Sequence, residues 1–60
     1  MMRWYRCDIQ KVNSRVWLAF IRELDVLVSG ETEDGLKILV PKRIEALTGD
    51  SNPTIVWVEV

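Results

Sequence analysis

The alternation of apolar and polar positions divides the chain into five segments. Residues 4–10 alternate strictly: Tyr5, Cys7 and Ile9 share one face, and Trp4, Arg6, Asp8 and Gln10 share the other. A period of two over that length predicts a half-buried strand. The pattern lapses over residues 11–15. Asn13-Ser14 predicts the tip of a turn there, because Asn tolerates left-handed backbone and Ser adds local hydrogen bonds. Residues 16–22, VWLAFIR, complete a hairpin. This second strand is apolar on both faces, with Val16, Leu18 and Phe20 on one and Trp17, Ala19 and Ile21 on the other. Residues 23–25 connect it to a short third strand at 26–28, which Ser29-Gly30 ends.

The period changes at residue 32. Thr32 has the character of a helix N-cap, and Glu33 and Asp34 follow in the first turn, where negative charge suits the helix dipole. Leu36, Leu39, Val40, Ile44 and Leu47 recur at helical spacing and form one stripe. Gly49 predicts the C-terminal stop, with Pro53 beyond it. The β-branched tail 54–60, TIVWVEV, predicts a last strand, with Ile55 and Trp57 on one face and Val56, Val58 and Val60 on the other. Pro41 is the misfit of the helix, since an interior proline costs about 3 kcal/mol. Gly35 adds roughly 1 kcal/mol relative to Ala. Arg43 falls in the stripe and Ile38 on the polar side, and a kink at Pro41 would re-phase the two halves. The rival is a strand over 36–40 and a short helix from Pro41, since Pro is favoured at the first helical position. On Gly35, Val40-Pro41-Lys42, Leu47 and Gly49-Asp50, that version resembles the swapped-hairpin DNA-binding family of AbrB and MazE. It would imply a DNA-binding dimer built on residues 35–60, with no place for the first half. The kinked helix is preferred, because only a long helix gives the first half something to pack on.

The expected fold is therefore α+β in the order β-β-β-α-β, a small antiparallel sheet with one helix packed on one face, in a single domain spanning residues 1–60. A chain of 60 residues buries only about 60% of the surface its unfolded form exposes. Such domains often need a disulfide, a metal or a partner. The lone Cys7 cannot make an internal disulfide, and without histidine a Cys/His zinc site is excluded. With 48% hydrophobic residues, the chain holds more apolar surface than one helix can cover, which predicts a homo-oligomer, in the first place a dimer. A single cysteine and a charged start without an apolar signal region predict the cytoplasm. The longest apolar run, residues 16–21, is strand-sized, far short of the roughly 20 residues of a membrane span.

From end to end the sequence resembles the HicB antitoxin family and its short relatives. Val16-Trp17-Leu18-Ala19 matches that family's second strand, and Leu24 to Val28 its connecting segment. Gly30-Glu31-Thr32-Glu33 matches the helix start and Thr54 to Glu59 the closing strand. Short members often carry Pro within the helix, as Leu39-Val40-Pro41 does. The Pro-Gly usual before the third strand is replaced by Asp25-Val26. The DNA-binding segment that longer members append has no counterpart in these residues, so operator binding is not carried over. The resemblance implies a degenerate RNase H-like fold without catalysis, self-association, and capture of a small RNA-cleaving toxin or nuclease. Asp8 lies where active RNase H-like enzymes place a metal-binding acid.

Candidate chemistry is sparse. Only carboxylates could serve catalysis or a metal, and a two-metal nuclease needs several of them clustered. Glu23 and Asp25 are close in sequence but lie in a connection. Cys7 shares its face with Tyr5 and Ile9 and reads as a small core residue. The expectation is a non-enzymatic protein without metal or cofactor. The tryptophans say more. If Val16, Leu18 and Phe20 face the helix, then Trp17, Ala19 and Ile21 face away from it, joined by Trp4 and Trp57. Trp4, Trp17, Ala19, Ile21 and Trp57 would then form a protein-binding surface, Trp being the residue most enriched at binding hot spots. A net charge of −1 argues against a dedicated nucleic-acid binder. The charge is uneven: residues 1–22 hold Arg3, Arg6, Lys11, Arg15 and Arg22 against Asp8, and eight acids against three bases follow. A weaker reading uses Trp4, Trp17 and this basic hairpin to stack on single-stranded nucleic acid.

Overall fold

The computed structural model describes residues 4–60. Arg3, counted above in the basic half, lies outside them. The elements are β1 (Trp4–Asn13), β2 (Val16–Ile21), a 3-10 turn (Arg22–Leu24), β3 (Val26–Gly30), α1 (Glu33–Thr48) and β4 (Thr54–Glu59). The order is the α+β order β-β-β-α-β expected from the pattern, and the helix packs on one face of a four-stranded sheet.

The strands lie in the order β3-β2-β1-β4. The expected antiparallel sheet is in fact mixed, because β4 pairs with β1 in parallel. The connection explains it. β2 is antiparallel to both β1 and β3, so β3 and β1 point the same way. The helix then carries the chain from the β3 edge to the opposite edge, and a strand-helix-strand crossover returns the chain parallel.

Side chains of Tyr5, Cys7, Ile9, Ala19, Ile21 and Val28 from the sheet meet Leu36, Val40 and Ile44 from α1, and all nine are buried. Those helix positions are four apart and make a single narrow row. Leu39 and Leu47, expected in the same stripe, are exposed, as are Ile38 and Arg43. The helix is one element through Pro41. Residues 36–40 are helical, so the strand required by the AbrB/MazE alternative is absent. Burying three aliphatic side chains contributes roughly 5–9 kcal/mol, which outweighs the proline's cost of about 3 kcal/mol.

Both helix ends are capped as expected. The Thr32 hydroxyl accepts from the Gly35 N–H at 2.9 Å, and Gly49 closes the helix with φ 80°, its N–H donating to the Glu45 carbonyl. Gly35 has a reason to lack a side chain. A Cβ there would stand 3.0 Å from the Thr32 hydroxyl oxygen and press on the cap. The Tyr5 hydroxyl is buried without a hydrogen-bond partner among the described residues.

The hairpin departs from expectation at its tip. β1 runs on to Asn13, the turn falls on Ser14 and Arg15, and the Asn13 carboxamide oxygen accepts from the Arg15 N–H at 2.8 Å. The register slips between Lys11 and Asn13, so Val12 sits in a bulge and Cys7 lies opposite Ile21.

Candidate protein-binding face

That register decides which residues face away from the helix. Cα partners in a sheet point to the same side, so Ile21 joins Cys7, Ala19 joins Ile9 and Trp17 joins Lys11. Trp17, Ala19 and Ile21 therefore face the helix, the reverse of the expected phase. Ala19 and Ile21 have no exposed surface at all, and Trp17 is half-buried against the core. Trp57, opposite Cys7 on β4, is also on the helix side and packs against the core rim. Lys37 Nζ stands 5.8 Å from its ring centroid, at the outer limit of a cation–π contact. Of the five expected surface residues, Trp4 alone is on the helix-free face, where it is 60% exposed.

The helix-free face is built by the other phase of each strand. β2 supplies Leu18 and Phe20, β3 supplies Leu27 and Ser29, and β4 supplies Val56 and Val58. Across the middle, Leu27, Phe20, Asp8 and Val58 form one row through all four strands. Leu27 and Val56 are exposed, and Leu18, Phe20 and Val58 are half-buried by their neighbours. These are large apolar side chains on a face that no other described element covers. The signal for them lay in β2 itself, which is apolar on both sides and hence has to be covered on both sides.

One polar group divides this apolar surface. The Asp8 carboxylate accepts from Arg6 Nε at 3.0 Å and from Arg22 Nε at 2.8 Å. Hydrogen bonding from Arg22, and then from Arg6, holds the Asp8 carboxyl below the usual carboxylate range against the opposing effect of desolvation. The Arg6 backbone N–H in turn donates to Glu23 Oε1 at 2.7 Å, tying the 3-10 turn to β1. Asp8 is thus engaged by two guanidinium groups, and no cluster of three metal-ligating side chains occurs among the described residues. Cys7 lies beneath on the helix side. Burial, and secondly the Asp8 charge, raise its thiol to about 11, so it is protonated at neutral pH and a poor nucleophile.

The arrangement offers apolar contact area around a neutralised polar centre. No described helix is long and apolar enough to cross a membrane. Comparison of the chain with protein-family models, with curated proteins and with solved structures finds no match.

Proposed function

We propose that this protein is a non-enzymatic protein-binding module that pairs with a second copy of itself through the helix-free sheet face. The observation that carries the reading is that face, with Leu18, Phe20, Leu27, Val56 and Val58 set around the Asp8 ion pairs. Large apolar side chains gathered on one uncovered sheet face mark an interaction site. A two-fold dimer needs only a self-complementary patch, and a mixed apolar and ion-paired surface supplies one.

The wider reading is a HicB antitoxin-like role in the cytoplasm, in which the dimer neutralises a small RNA-cleaving toxin or nuclease. Its support is the order of sequence segments from Val16-Trp17-Leu18-Ala19 through Thr54 to Glu59, together with the β-β-β-α-β architecture.

Light scattering on the wild type and on Phe20→Glu tests the self-association. The wild type is expected to run as a dimer and the variant as a folded monomer. A wild-type monomer at high micromolar concentration would overturn the reading, as would a variant that still dimerises. The toxin role predicts a small RNA-cleaving protein encoded beside the gene, and it is tested by adding the present protein to that partner's RNA-cleavage assay. Undiminished cleavage at molar excess would refute it.

A further inference from the structure

We infer a second binding site, a strand-accepting groove between the free edge of β3 and one side of α1, suited to an extended acidic peptide segment. Among the described residues β3 is an edge strand, paired with β2 alone. Its outer side therefore presents unpaired backbone N–H and C=O groups, a template for another strand. Beside that edge runs a groove of about 330 Å³, lined by Leu27 to Ser29 of β3 and by Leu39, Lys42, Arg43 and Ala46 of α1. The four helix residues are spaced three, four and seven apart, so they form one continuous helix side facing the strand edge.

The chemistry of that side selects the occupant. Leu39 is 43% exposed, so the groove has apolar contact to offer at one end, while Leu27 on the same strand edge points to the helix-free side. Lys42 and Arg43 supply two positive charges at the other, and neither has a carboxylate within ion-pair distance among the described residues. A free anion would use the cations alone. A peptide added to β3 uses the cations, Leu39 and the strand edge together, which is the mode of domains that recognise peptides by strand addition. The spacing fits. Residues two apart on a strand are separated by roughly 6.6 Å, and Leu39 and Arg43, four residues apart on the helix, by about 6 Å. A strand with a leucine at one position and a glutamate two residues on would meet both.

This groove shares Leu27 with the proposed dimer face, but its helix residues lie on the opposite side of the sheet from Phe20, so shifts at residues 39–46 distinguish the two. The probe is the capped peptide Thr-Leu-Thr-Glu-Thr-Glu-Thr, titrated into the full chain while backbone amide shifts are followed by NMR. Saturable shifts are expected at residues 27–29 and 39–46. Replacing both glutamates by lysine should abolish them. The double variant Lys42→Gln and Arg43→Gln alters two exposed side chains and should weaken binding about tenfold, two surface charge contacts being worth roughly that much. Peptides N-methylated at every second residue, in one phase or the other, test the strand pairing, because only one phase should block binding. The inference is overturned by absence of saturable shifts at millimolar peptide, by shifts confined to the Phe20 face, by unchanged affinity in the glutamine variant, or by two methylated peptides that bind alike.

Discussion

Asp8 is the residue on which the helix-free face turns. Its carboxylate sits among apolar neighbours, Phe20 and Val58 flanking it in the same row. Two guanidinium groups make that position tolerable, because a carboxylate desolvated without partners would instead take up a proton. The ion pairs carry a pH signature. The folded-state value of Asp8 is lowered from 3.8, so its contribution is complete above 3.8 and is lost as pH falls through the folded value. Asp8→Asn should therefore lower the urea midpoint at pH 6, and the gap from the wild type should narrow as pH is taken down to about 2. Urea melts at the two pH values measure this. A gap that does not change with pH would show that the ion pairs are not the cause. Cys7, next to Asp8 in sequence, points to the other side of the sheet and is fully buried, so β1 alternates between an ionic and an apolar role.

At the scale of elements, the helix and the hairpin differ in how openly the sequence declares them. The caps of α1 were legible, since Thr32, Gly49 and the acidic first turn each have a local physical role. The phase of β2 was not. With apolar side chains on both faces, no polar row marks its outer side, and only the hairpin register can decide. A two-residue tip at Asn13-Ser14 would set Cys7 opposite Phe20. The observed turn at Ser14-Arg15 would set Cys7 opposite Arg22, in the same phase, and the bulge at Val12 moves the pairing back by one residue, to Ile21; a slip of one residue exchanges the two faces completely. Nothing local to Val12 announces that bulge. The mixed sheet was hidden for a related reason, because the direction of β4 follows from the helix crossover and not from its own residues. Pro41 remains the costly feature of α1. It cannot donate to the Lys37 carbonyl, yet Val40 and Ile44 on either side are fully buried. Pro41→Ala should restore that hydrogen bond and stabilise the protein by about 2 kcal/mol, raising the melting temperature by roughly 10 °C in a domain of this size. Thermal unfolding followed by circular dichroism decides the point. A fall in melting temperature would mean that the proline sets the path by which Val40 and Ile44 reach the sheet.

The whole molecule is a two-layer domain with too few layers for its apolar content. Four strands span roughly 19 Å across the sheet, whereas a helix with its side chains is only about 10–12 Å wide. One helix therefore leaves flanks uncovered even on its own side, where Trp17 and Trp57 fill the margins, and no described element covers the other side. A standard interface takes about 800 Å² from each partner, less than a fifth of the 4329 Å² surface. With the β3 edge left to the groove, two copies have two ways to associate. They can stack their helix-free faces, or they can join β4 edges into one continuous sheet, since β4 is the other edge strand and carries no proline. The face arrangement covers Phe20 and Leu18 near the sheet centre, and edge pairing leaves them bare, so burial favours stacking. Hydrogen exchange separates the two. Stacked faces leave the outward N–H groups of β4 open to solvent, so those amides should exchange as fast in the dimer as in the Phe20→Glu monomer. At the same time the melting temperature of the wild type should rise with protein concentration, as it must for any self-associating fold, and that of the variant should not. Slowed exchange along the outer edge of β4 would instead assign the dimer to strand pairing and leave the helix-free face for a different partner.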